Sequence, residues 1–81
     1  MQYEVQFNCP KDDINSIHDL FYSRMDDFPF LVTDWAQSSD PDDESKMTVW
    51  IIAHVITDAH LTFLKNLLTK HGATDLFVTY E

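Results

Sequence analysis

QYEVQFNCPKDDINSIHDLFYSRM, residues 2–25, decides the fold, because the spacing of its apolar side chains changes once along its length. Over Gln2–Phe7 they alternate: Tyr3, Val5 and Phe7 point one way, and Gln2, Glu4 and Gln6 the other. Successive strand residues face opposite sides of a sheet, so this is a half-buried strand. Asn8, Cys9 and Pro10 end it, and proline suits a helix start because its φ is already helical and it has no N–H to leave unpaired. From about Lys11 to Met25 the period becomes helical. At roughly 100° per residue, Ile14, Ile17, Phe21 and Met25 fall within an arc of about 80°, with Leu20 on its flank. Asp12 and Asp13 lie in the first turn, where the positive end of the helix dipole favours carboxylates. Asp26, Asp27 and Pro29 mark the exit.

The rest of the chain continues the alternation of element types. Phe28–Gln37 is rich in aromatic and β-branched residues and reads as a strand, with apolar groups on both faces. SSDPDDES, residues 38–45, is the clearest loop. Lys46–Ile56 is the strongest strand: Met47, Val49, Ile51, Ala53 and Val55 form one face, and Thr48, Trp50, Ile52, His54 and Ile56 the other. Thr57 or Asp58 can cap the next helix. Its apolar stripe is Leu61, Leu64, Leu67 and Leu68 with Phe63 beside it, and Lys70, His71 and Gly72 suit its C-terminal end. Thr74–Tyr80 alternates again and forms a last strand. The order β-α-β-β-α-β with two right-handed crossovers predicts a single α+β domain over residues 1–81. It is a ferredoxin-like sandwich of four antiparallel strands with both helices on one face. The predicted spatial order is fourth strand, first, third, second.

Composition bounds what such a domain does. At 81 residues the chain is one domain, and 44% hydrophobic with 14% aromatic residues is too apolar for a disordered acidic tail. The formal net charge is −9 and the pI about 4.5. Residues 1–45 carry eleven carboxylates against Lys11 and Arg24, whereas residues 46–81 carry three of each sign, so the entire excess lies in the first part. Free nucleic acid and an anionic membrane surface are thereby excluded as ligands, since both need clustered Lys and Arg. One cysteine, Cys9, precludes an internal disulfide. Met-Gln-Tyr-Glu has neither the basic nor the apolar segment of a signal peptide, and the run Val49–Ile56 is far short of the ~20 residues of a membrane span. A cytoplasmic protein is the expectation.

Asp12, Asp19 and Asp26 recur every seven residues, opposite the apolar stripe of the first helix. Two helical turns would set them about 10.5 Å apart on nearly one line. Asp13 and Asp27 flank its ends, and Asp34, Asp40, Asp42, Asp43 and Glu44 add charge from the next strand and loop. A row of carboxylates on a rigid scaffold resembles a phosphate backbone in charge and spacing, and a partner's Lys and Arg would bind it in the same way. The competing reading is a solvated helix face that keeps a small protein soluble. A second surface is the uncovered sheet face, where Trp50, Ile52 and His54 are joined by Phe77 and by Trp35 or Phe30, beside Gln2, Glu4 and Gln6. With Lys46 as the sole cation on those strands, a partner protein or a second copy suits this face better than RNA.

Chemistry-bearing motifs are absent. His54, Asp58 and His60 match no zinc spacing, and Asp40–Glu44 lacks the glycine and ligand alternation of a calcium loop. One glycine precludes a phosphate-binding loop, there is no Cys-x-x-Cys, the only arginine, Arg24, lies late in the first helix and not in an early anion-binding loop, and His18 and His71 read as surface residues. No catalytic residue, cofactor or metal is therefore expected. The sequence favours a non-enzymatic acidic interaction protein that inhibits or regulates a nucleic-acid-binding protein by mimicking nucleic acid, as small phage inhibitors would. The alternative is an oligomeric regulatory or ligand-binding module that forms a homodimer through its open sheet face, with Trp50, Ile52 and Phe77 as the interface.

Overall fold

The computed structural model describes residues 1–24 and 27–80. Strand β1 spans Gln2–Pro10, a 3-10 turn Lys11–Asp13, helix α1 Ile14–Ser23, β2 Phe30–Ser39, β3 Lys46–Val55, α2 Asp58–Lys70 and β4 Thr74–Tyr80. The strands form one antiparallel sheet in the order β2-β3-β1-β4, as the sequence predicts, which leaves β2 and β4 at the edges.

Alternation in the strands and the helical stripes meet in one core. Val5, Phe7 and Cys9 of β1 and Val49, Ile51, Ala53 and Val55 of β3 lie under Ile14, Ile17 and Phe21 of α1 and Leu64 and Leu68 of α2. Phe30 and Val32 close it on the β2 side, with the Phe30 ring edge-on to Phe21 at 6.0 Å. No polar or charged residue is buried among those described, so the fold is held by apolar burial, about 1.5–3 kcal/mol for each large side chain.

The helix ends follow local chemistry. Thr57 is the α2 cap: its hydroxyl accepts from the His60 N–H at 3.3 Å. After α2, the Gly72 N–H donates to Thr69 O at 3.1 Å and the Ala73 N–H to Leu68 O at 3.0 Å, with Gly72 at φ +96. That left-handed conformation suits glycine, and a Cβ there would stand 3.0 Å from Asp13 Oδ2.

Two expectations are corrected. Residues 11–25 are not one continuous helix: Lys11–Asp13 form a 3-10 turn and α1 begins at Ile14, while Met25 lies outside the described residues. The second correction concerns β2, whose pairing with β3 slips between Val32 and Asp34. Val32 stands opposite Ala53, but Asp34 is opposite Ile52 and Trp35 opposite Ile51. Thr33 is the extra residue of a β-bulge, and an extra residue inverts the alternation beyond it. Trp35 thus joins the helix side, edge-on to His18 at 5.0 Å, while Asp34 takes an open-face position. Neither Trp35 nor Phe30 joins the open sheet face.

Candidate functional site

The carboxylates do not stand on a single helical line. Asp12 is exposed in the 3-10 turn and Asp19 on α1, and the two geometries advance by different angles per residue. Asp26 lies outside the described residues. Asp13 turns toward Gly72 and is close enough to Cys9 to act on its thiol. Asp27 pairs with Arg24 at 3.0 Å, an exposed pair of little energetic weight. Among the described residues this is the sole side-chain ion pair, so the other described carboxylates have no Lys or Arg in contact.

What the fold does assemble is an acidic end. Pro10 pairs with Lys46, and the Lys11 N–H donates to Ser45 O at 2.8 Å, which ties the 3-10 turn to the β2–β3 loop. Asp12 and Asp13 are thereby brought to the same end of the sheet as Asp40, Asp42, Asp43 and Glu44. Within the loop, Asp40 Oδ1 accepts from the Asp42 N–H at 2.8 Å, and Asp43 Oδ1 accepts from the Ser45 N–H at 2.9 Å and from the Ser45 hydroxyl. These bonds shape the turn, as short carboxylates do in loops. The Ser45 hydroxyl, then its N–H, and more weakly Lys46, hold the Asp43 carboxyl below the usual range. Asp42 and Glu44 remain exposed.

The second surface is the open sheet face, whose side chains line up in rows set by the register. Ala36, Trp50, Gln6 and Phe77 form one row across all four strands. Asp34, Ile52, Glu4 and Thr79 form the next. Thr48 donates to Asn8 Oδ1 at 2.8 Å and Asn8 Nδ2 to Asp75 at 3.2 Å, which makes a polar third row. Leu31 and His54 close the other end, with His54 Nε2 3.1 Å from the Thr33 hydroxyl. Phe77 is 65% exposed, while Trp50 and Ile52 are half-buried.

One feature was hidden in the sequence. His18 stacks on Tyr22 at 4.5 Å, and Trp35 meets both rings edge-on. His18 and Tyr22 have the i, i+4 spacing of helix neighbours, but the third ring arrives only through the bulge. Burial, then Asp34, pushes the Tyr22 hydroxyl up.

Cys9 is 1% exposed, and burial followed by the Asp13 charge pushes its thiol up to about 11, which keeps it protonated and unreactive near neutrality. His54 lies on the open face and His60 in the first turn of α2. No three His, Cys, Asp or Glu side chains converge among the described residues. No described helix is long and apolar enough to cross a membrane.

No protein-family model matches the sequence, and no curated protein matches it. Among solved structures, the chain is similar to the C-terminal domain of the MgtC protein from Mycobacterium tuberculosis. The TM-score is 0.73 at 14% identity, over 96% of this chain and 84% of that one. It is also similar to part of a formyltetrahydrofolate deformylase from Burkholderia mallei ATCC 23344, with a TM-score of 0.59 at 13% identity, over 99% of this chain and 28% of the enzyme. At such identities the likeness shows the ferredoxin-like fold alone, which hosts many unrelated activities.

Proposed function

We propose that this chain is a non-enzymatic cytoplasmic protein that binds a protein with a basic, nucleic-acid-binding surface, and so inhibits or regulates it. Its carboxylates take the place of phosphates. The observation that carries this reading is the lack of internal compensation: a net charge of −9 with Arg24–Asp27 as the sole ion pair among the described residues. Self-repulsion of that size opposes folding, and among the described residues a single exposed ion pair does little to relieve it. A basic partner does relieve it. Guanidinium and ammonium groups that grip phosphates grip carboxylates through the same charge-assisted hydrogen bonds. Long-range attraction also speeds encounter, and it does so less as salt rises. The acidic end, with Asp12, Asp42 and Glu44 exposed, is the leading contact surface, supported by Asp19 on α1.

The test is capture of proteins from a nuclease-treated lysate by the immobilised chain, at low and high salt, with and without reversal of Asp12, Asp19, Asp42 and Glu44 to lysine. The captured proteins should be basic, released by salt and lost on reversal. Capture that is salt-insensitive and survives the reversal contradicts the reading. The exposure of Phe77 at 65% favours one other reading, a regulatory module that pairs with its own copy through the sheet.

A further inference from the structure

The open face of the sheet carries apolar and acidic groups in adjoining rows. Trp50 and Phe77 flank Gln6 in one row, and Asp34 and Glu4 flank Ile52 in the next. Neighbouring strands lie about 4.8 Å apart and alternate residues about 7 Å apart, so each flanking pair spans roughly 10 Å and the rows adjoin. Asp75 adds a third carboxylate at the edge of the polar row. The cation at an open-face position is Lys46, at the extreme loop end of β3, where it neighbours Asp43.

From this arrangement we infer that the open face is a docking surface for an arginine-bearing, partly apolar segment of a partner protein, not for a second copy of this chain. Charge decides the occupant. Face-to-face pairing of two copies would bring Glu4, Asp34 and Asp75 of each into one desolvated layer, and like charges brought together there oppose association. A nucleic acid would stack its bases on Trp50 and Phe77 but would set its phosphates against the same carboxylates. An arginine suits both rows. Its planar guanidinium binds a carboxylate through two parallel hydrogen bonds, and it also lies flat on an aromatic ring. Apolar side chains of the same segment would cover Ile52 and Leu31, the latter 43% exposed. The partner's sign rests on the proposed function; the surface does not, because none of these residues belongs to the acidic end.

The experiment titrates the whole chain with a synthetic peptide of alternating arginine and leucine, followed by backbone amide shifts in NMR. A peptide with glutamate in place of arginine is the control, and sedimentation of the free chain reports self-association. The expected result is a set of shifts at Glu4, Gln6, Trp50, Ile52 and Phe77, with no binding of the glutamate peptide. Glu4→Gln with Asp34→Asn should weaken binding about tenfold, the scale of two partly screened ion pairs. Asp42→Asn with Glu44→Gln, which remove charge from the acidic end, should leave the peptide-induced shifts at Glu4, Gln6 and Ile52 in place. Phe77→Ser serves as the aromatic variant, because so exposed a ring is not needed for folding. Shifts confined to residues 12–13 and 40–44, weakening only by the loop variant, or a dimer of the free chain with these residues buried would each overturn the inference. Peptide binding at the open face alongside a lysate capture devoid of basic proteins would sink the proposed function and spare the surface.

Discussion

Strand β1 shows two chemistries one residue apart. Val5, Phe7 and Cys9 are no more than 1% exposed beneath the helices, whereas Glu4, Gln6 and Asn8, on the other side of the same backbone, face outward among polar and aromatic neighbours. β3 repeats the contrast, with Val49 and Ile51 inside and Trp50 and Ile52 outside. The covered face holds the fold and carries no charge. The open face contributes little to the core and gathers Glu4, Asp34 and Asp75, which no Lys or Arg pairs among the described residues. The groups that hold the fold and the groups left open to solvent are thus separable in this molecule, and substitutions at adjacent positions should fall on one side or the other.

The largest effect belongs to the covered face. Phe7→Ala leaves a cavity under both helices and should cost about 3–5 kcal/mol in urea unfolding, while Gln6→Ala should stay within about 0.5 kcal/mol. Cys9 sharpens the comparison through pH. Its folded thiol lies near 11 against an ordinary value of 9.0. The unfolded chain therefore loses its proton first, and stability should fall by about 2 kcal/mol between pH 9 and 11, a decline that Cys9→Ala removes. Deletion of Thr33 tests the division at the bulge. It removes the extra residue and leaves Val32, Asp34 and Trp35 opposite Ala53, Ile52 and Ile51, a regular pairing that keeps Trp35 on the helix side and Asp34 outside. Urea unfolding should therefore show a loss of no more than about 1 kcal/mol. Thr57→Ala, at a helix end away from both faces, should cost about 1 kcal/mol. Smallest of all, Phe77→Ser should leave the unfolding midpoint nearly unmoved and be felt only in binding.

The Asp43 carboxyl, held low by Ser45, is stabilising above its unfolded value and loses that contribution as pH falls through the folded one. Loop order should therefore decay in acid, read as amide shifts at Asp43–Lys46, before the core melts.

Much of this division was legible in the residues. Val5, Phe7, Ile14, Ile17 and Phe21 reveal a strand followed by a helix, because period 2 gives way to period 3.6 and burial rewards each period on one side only. Thr57 and Gly72 mark the ends of α2 through chemistry that few other residues supply. The bulge was not legible. Phe30, Leu31, Val32 and Trp35 place apolar groups on both sides of a strand, and no local signal says that Thr33 is the extra residue; only the pairing with β3 shows it. The acidic row from Asp12 to Asp26 assumed one uninterrupted helix. The 3-10 turn after Pro10 breaks that assumption, and the same turn brings Asp12 and Asp13 beside the loop acids, which lie thirty residues away in sequence.

If these carboxylates occupy a site made for phosphates, nucleic acid must compete with them for it. Basic proteins retained on the immobilised chain would be challenged with a short DNA duplex at constant ionic strength. The duplex should release them, because both ligands need the same cations. Retention unchanged at saturating duplex would contradict a shared site.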